Sequence, residues 1–165
     1  MKRTSATVIS IAFFVAGPGT FVGLVPWAIT RWTFRTPAPG WIVMRVLGAG
    51  MIIAGIVPTA SAFAEFVKAG GTPVPLAPTD RLVVSGFNRY VRNPMYVGLI
   101  TSILGQVLLF GNLRLLGYAA VAAAAPAAFV HWYEEPTLAK RFGAQYEVYR
   151  RAVPGWIPRL RPWQA

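Results

Sequence analysis

Residues 94–133 read PMYVGLITSILGQVLLFGNLRLLGYAAVAAAAPAAFVHWY, and across this stretch the only charged side chain is Arg114. Each half can supply the roughly 20 apolar residues that cross a hydrocarbon core of about 30 Å. Only Asn112, Leu113 and Arg114 separate the two halves, so the stretch predicts a tight helical hairpin. Two further uncharged runs lie upstream, at residues 4–30 and 46–64. Together the four runs predict an all-α, polytopic membrane bundle of about four transmembrane helices, with spans near 5–30, 42–66, 94–112 and 115–134. The remainder is a cytosolic loop (67–93) and a cytosolic tail (135–165), in a single membrane domain covering residues 1–165.

Composition agrees with that reading. The 165 residues are 55% hydrophobic and 13% charged, about half the charged share of an average soluble domain. The chain has no cysteine, which excludes a disulfide-stapled module and a thiolate metal site. The formal charge of +11 has two ordinary meanings, nucleic-acid binding and anchoring on an anionic membrane face. Here the basic residues lie between apolar runs of membrane length instead of being interleaved with polar side chains, so no nucleic-acid partner is expected.

The Lys2-Arg3 start followed by an apolar run resembles a signal peptide, but the run exceeds the usual 7–15-residue signal core and no clear small-x-small cleavage site follows it. It is therefore read as the first span, with Pro18 between two glycines predicting a bend or break. Orientation follows from Lys and Arg. With both termini inside, the inner face carries twelve (Lys2, Arg3, Lys68, Arg81, Arg89, Arg92, Lys140, Arg141, Arg150, Arg151, Arg159 and Arg161), and the outer loops carry only Arg31, Arg35 and Arg114. Arg45, at the outer start of span two, can snorkel. Both termini are thus expected in the cytosol, in a membrane of the bacterial inner or cell-membrane type.

The loop after span two holds Gly70-Gly71, Pro73, Pro75 and Pro78 and reads as irregular. In the tail, Leu138, Phe142, Tyr146, Tyr149 and Val153 recur at helical spacing, with basic residues on the other faces, which predicts one amphipathic helix on the inner leaflet or capping the bundle. The alanine-rich residues 119–128 allow close helix approach.

Glu134 and Glu135 are two of only five acidic residues, and they stand at the inner end of span four. A carboxylate near a membrane boundary is costly, and the macrodipole at a helix C-terminus disfavours it further. Such a pair either ends the span by pairing with nearby arginines or serves a ligand. His131, three and four residues earlier, can share their helix face, as a packing residue or as a base or cofactor contact. At the start of span three, Asn93 suits an N-cap, Pro94 the first helical position and Gly98 close packing. Helix initiation does not, however, explain Arg89 and Arg92, which add charge to an already positive dipole end and suit an anion. An arginine-rich helix start therefore faces a carboxylate-rich helix end across a short hairpin. A ligand with an anionic group and cationic or hydroxyl groups matches them, and S-adenosylmethionine has all of these.

The run Arg92-Asn93-Pro94-Met95-Tyr96-x-Gly98, followed by Glu134-Glu135-x-x-Leu138, Phe142-Gly143-x-x-Tyr146-x-x-Tyr149 and Val153-Pro154-x-x-Ile157-Pro158, resembles the isoprenylcysteine carboxyl methyltransferase and phospholipid methyltransferase group of integral membrane enzymes. The resemblance spans about residues 70–160. It implies a helical membrane bundle with its cofactor pocket between the last two spans and the tail, and methyl transfer from S-adenosylmethionine to a lipophilic acceptor of the prenyl-cysteine type. Two positions depart from that pattern: Asn93 stands where many members have His, and Gly155 where many have Arg. Asn93, His131 or Arg159 would then substitute for the missing groups.

On this reading Arg92, Glu135 and Arg159 are the expected catalytic residues. Arg89, Arg92, Asn93, Pro94, Tyr96, Gly98, His131, Glu134, Glu135, Tyr146 and Tyr149 are the expected cofactor contacts, and no metal is expected. The tyrosines can equally be interfacial anchors. Three alternatives stay open: a membrane sterol or steroid reductase using NADPH, a non-enzymatic assembly subunit and a transporter. Met95 and the glutamate pair lean against the first, and spans one to three carry no ionisable residue at mid-depth for the last. The sequence leaves the acceptor and the oligomeric state open.

Overall fold

The computed structural model describes residues 16–68 and 82–164. The Lys2-Arg3 pair, residues 5–15 of the first predicted span, and the Gly/Pro-rich part of the 67–93 loop lie outside the described residues. Among the described residues there is helix and no strand. A π-helical segment, Gly19–Leu24, leads into α1 (Val25–Thr30), and α2 spans Ile42–Lys68. A 3-10 turn (Gly86–Arg89) precedes α3 (Pro94–Phe110), α4 follows at Arg114–Phe129, and a second π-helical segment, Val130–Glu134, joins it to α5 (Glu135–Phe142) and then α6 (Ala144–Ala152).

Among the described residues two stretches of helix are long and apolar enough to cross a bilayer, Ile42–Glu65 and Arg114–Phe142, and α3 is apolar but only 17 residues long. Of the expected four spans, two are therefore met by helices of full length among the described residues. Only 17% and 22% of the apolar windows of those two are buried, unlike the core helix of a soluble protein. Val43, Val46, Leu47, Ile53 and Val57 of α2 are each more than half exposed, a continuous apolar surface that fits lipid and not water.

The shortest of the three, α3, lies at the centre. Gly98, Ser102, Ile103, Gly105, Gln106, Val107 and Phe110 are all buried, because α2 covers one side of it and α4 with the π-segment covers the other. The α2–α3 seam is built on glycine. A Cβ placed on Gly48 would come within 2.5 Å of the Gly105 carbonyl, and one on Gly55 would collide with the Gly98 carbonyl and with Ser102. Ile103 packs with Ala119 and Ala122 on the other side, where the alanine-rich stretch gives the expected close approach. The hairpin predicted between α3 and α4 closes through Gly111, held at φ +62°, and Asn112, whose Oδ1 accepts the Arg114 N–H at 3.1 Å.

Pro18 does not break the first helix, which instead passes into the wider π register. Pro26 then lacks the N–H that carbonyls one turn upstream would accept. Two side chains replace it: Gln106 Nε2 donates to Val22 O at 2.7 Å, and the Tyr118 hydroxyl donates to Phe21 O at 2.8 Å. Gln106→Leu leaves a carbonyl in the bundle without its donor and is expected to destabilise the protein by about 1–3 kcal/mol. Thermal unfolding in detergent measures this, and an unchanged midpoint would mean that Val22 O reaches water.

The helix of the predicted fourth span does not end at Glu134. Helix continues without interruption to Phe142, so the glutamate pair lies within a helix and Glu135 opens the first turn of α5. Nor is the tail one amphipathic helix. Gly143, at φ +50° and ψ −127°, turns the chain between α5 and α6, a conformation that only glycine adopts without strain. The predicted stripe survives that turn: Tyr146, Tyr149 and Val153 form a buried cluster with Leu138 and Phe142 against it.

Candidate active site

The polar site is assembled where the segment entering α3 meets the C-terminal tail. Backbone hydrogen bonds bind the two segments: Trp163 N–H to Arg89 O (2.9 Å), Arg159 N–H to Tyr90 O (3.0 Å) and Arg92 N–H to Pro154 O (2.9 Å). Asn93 takes the N-cap position of α3 but does not cap it, since its Nδ2 donates to Gly155 O at 3.0 Å. The two positions that depart from the resemblance therefore touch each other. A Cβ on Gly155 would sit 3.1 Å from Arg92 Nη2, so the bare glycine leaves the guanidinium room to lie where it does.

Arg92 is the hub. Its Nη1 lies 2.8 Å from Glu135 Oε1 and donates to the Tyr146 hydroxyl at 3.2 Å. Both partners of the ion pair are at most one-fifth exposed, so the attraction is screened less than at a surface. Around them Arg92, Asn93, Glu134, Glu135, Tyr146 and Tyr149 line a cavity of about 70 Å³, closed on its apolar side by Leu82, Val130, Leu138 and Phe142. Two buried polar atoms here have no hydrogen-bond partner among the described residues, Arg92 Nε and Glu134 Oε2.

Tyr146 and Tyr149 are 2% and 3% exposed, which makes them pocket residues rather than interfacial anchors. Burial raises both phenol pKa values above the ordinary range; the Glu135 carboxylate adds to this at Tyr146, and Arg92 opposes it at both. The Tyr149 hydroxyl donates to Asn88 O at 2.7 Å. Because the native state holds these protons above the unfolded value of about 10, their contribution to stability is complete below pH 10 and is lost as pH rises past it. Tyr149→Phe is expected to cost about 1–3 kcal/mol at neutral pH through the orphaned Asn88 carbonyl. It should also flatten the loss of stability between pH 9.5 and about 11, as followed by unfolding midpoints across that range.

The structure brings six of the expected residues together and places the others elsewhere. Arg89 lies outside this cavity, with Nε donating to Trp163 O at 2.7 Å. Arg159 Nη1 donates to Ala152 O at 2.8 Å and so serves the C-terminus of α6. Gly98 and Pro94 are buried against α2. Tyr96 stacks on Trp156 at 6.3 Å between ring centroids. His131 is exposed, edge-on to Trp132. Sequence reasoning did not single out Leu82, Val83, Asn88 and Val130 as site residues. Asn88, a polar residue one turn before Arg92, carried a readable signal, whereas the three aliphatic residues gain their place only from the fold.

A second, almost wholly apolar slot of about 280 Å³ lies between α3 and α4, lined by Phe21, Tyr96, Leu99, Ile103, Pro126 and Phe129. Phe129 precedes Val130 of the polar cavity, so the two spaces adjoin along one helix.

Fold and site define an all-helical membrane protein with an ion-paired polar cavity at one end of its bundle. The phospholipid methyltransferase family matches residues 43–145, and the chain belongs to that family. The matched stretch carries Arg92, Glu134 and Glu135 and stops one residue short of Tyr146. No curated protein and no solved structure matches the chain.

Proposed function

We propose that this protein moves a methyl group from S-adenosylmethionine to a lipophilic acceptor of the prenyl-cysteine carboxylate type. The membrane would be of the bacterial inner or cell-membrane type, crossed by four spans with both termini in the cytosol, and the reaction would take place at its cytosolic face. The observation that carries the reading is the cavity of a membrane methyltransferase family member in which a guanidinium N–H and a carboxylate oxygen are buried without partners among the described residues. One donor and one acceptor of opposite charge fit the two ends of an amino-acid group. Arg92 would hold its carboxylate, and Glu134 with Glu135 would hold its ammonium or ribose hydroxyls. When bound, the cofactor supplies an activated methyl group that can be displaced without a covalent enzyme intermediate.

The chain's own task is then orientation and exclusion of water. Tyr146 and Tyr149 keep their protons through the neutral range and wall off the guanidinium, while Leu82, Val130, Leu138 and Phe142 dry the opposite side. The apolar slot beside Tyr96 supports lateral access of an acceptor tail from the bilayer between α3 and α4. The test is calorimetric titration of S-adenosylhomocysteine into the protein in nanodiscs, with NADPH in parallel. Saturable micromolar binding of the first alone is the expected result. Binding of NADPH alone would make the protein a reductase, and binding of neither by a folded sample would leave an assembly subunit.

A further inference from the structure

A cavity larger than the polar one takes no part in the site above. It is a groove of about 610 Å³ between α2 and α3, within the range of small-molecule pockets. Ala54 and Pro58 of α2 face Val97 and Thr101 of α3 along its length, and Arg89 and Tyr90 stand at its mouth. No lining residue is shared with the Arg92–Glu135 cavity or with the slot beside Tyr96, and α3 separates it from the latter.

We propose that this groove binds an anionic phospholipid as a non-substrate ligand, with an acyl chain between α2 and α3 and the headgroup phosphate on Arg89. Among the described residues that line it, Arg89 is the only charged one. It is fixed and not floating, since its Nε donates to Trp163 O and its carbonyl accepts the Trp163 N–H. Its two Nη groups have no hydrogen bond or ion pair among the described residues, which leaves the fork of the guanidinium for an oxyanion. Glu65, which lies beside Gly86 of the groove, is paired with Lys68 at 2.8 Å and bonded by the Ser85 hydroxyl, so its charge is already engaged. A groove whose described lining holds one cation, an apolar floor and no carboxylate, with the adjoining Glu65 already paired, selects an anionic amphiphile over a zwitterionic one. It rests on the membrane location and not on methyl transfer, so the two fail separately.

The experiment is native mass spectrometry of the full chain in detergent, titrated with dioleoyl phosphatidylglycerol, phosphatidylcholine or phosphatidylethanolamine. The wild type is expected to retain one phosphatidylglycerol about fivefold more tightly than phosphatidylcholine. Arg89→Gln is expected to remove that preference. Ala54→Phe, which fills the groove without touching the ties to Trp163, is expected to weaken both lipids alike. Equal retention of the two lipids by the wild type, or a preference that survives Arg89→Gln, would overturn the proposal. Tighter binding of phosphatidylethanolamine would make the groove an acceptor site instead, and displacement by millimolar inorganic phosphate alone would reduce it to an ion site.

Discussion

Glu134→Gln is expected to leave the protein at least as stable as the wild type while weakening S-adenosylhomocysteine binding tenfold or more, whereas Glu135→Gln is expected to weaken both. The opposite signs follow from what each carboxylate does in the unliganded chain. Glu135 is bound to Arg92 at 2.8 Å in a largely buried setting, so neutralising it leaves the guanidinium unpaired, and breaking such a pair is more costly than the pair itself is stabilising. Glu134 Oε2 has no partner among the described residues, and a buried acceptor without a hydrogen bond costs about 1–3 kcal/mol, more when it is charged. A neutral amide there relieves that cost. Folding therefore has no use for the Glu134 charge, and a ligand with an ammonium or hydroxyl group has. A charge-assisted hydrogen bond is worth about 1.5–3 kcal/mol, or roughly ten- to over a hundredfold in affinity. Paired thermal unfolding and calorimetry on the two variants separate the cases. If Glu134→Gln lowers the midpoint and leaves affinity unchanged, the residue is structural and the cofactor assignment is wrong.

What could be read from the sequence divides along physical lines. The apolar runs fixed helix class and the α3–α4 hairpin because hydrophobicity and Gly111-Asn112 are local signals. The stripe of Leu138, Phe142, Tyr146, Tyr149 and Val153 was readable as one face, and those residues do pack together. The turn at Gly143 that divides the stripe was not, since glycine at one position of an otherwise periodic segment does not announce a positive φ. The two π-helical segments were also hidden. Each depends on a proline downstream, Pro26 and Pro136, and on side chains far along the chain, Gln106 and Tyr118 at the first of them, that take up the released carbonyls. His131, adjacent to the glutamates by helical counting, faces outward, edge-on to Trp132. Arg89 and Arg92 looked equivalent at three residues' spacing, but the tail meets them differently: Trp163 takes Arg89, and Pro154 with the bare Gly155 leaves Arg92 to Glu135. The pairing of Asn93 with Gly155 was likewise invisible, because it joins residues 62 positions apart.

The largest loss of stability is expected from the glycines between α2 and α3. Gly48 meets Gly105 and Gly55 meets Gly98, each pair offset by seven residues in its own helix, so the antiparallel helices touch backbone to backbone at two points two turns apart. A Cβ on Gly105 would lie 2.6 Å from Gly48 O and 2.9 Å from the Ile52 backbone nitrogen, positions occupied by backbone that cannot rotate aside. In lipid, such a seam is held by close packing, since tails are as apolar as the side chains they replace. Separating the helices therefore forfeits contact along the whole seam, including the Ser102 hydroxyl to Ile52 O hydrogen bond at 3.4 Å. Gly105→Val and Gly55→Val are each expected to cost about 3 kcal/mol or more, at the upper end of overpacking effects, and to lower the unfolding midpoint by roughly 6–12 °C. Gly50→Val is the control, because a Cβ there meets nothing within 4 Å and the midpoint should hold to within a degree or two. Gly98 was expected at the cofactor, yet its missing side chain is used against Thr59 and Gly55 on the α2 side of α3. Gly98→Val should therefore lower stability as the other seam variants do. A Gly98 variant that keeps its midpoint but loses S-adenosylhomocysteine would return the residue to the binding site.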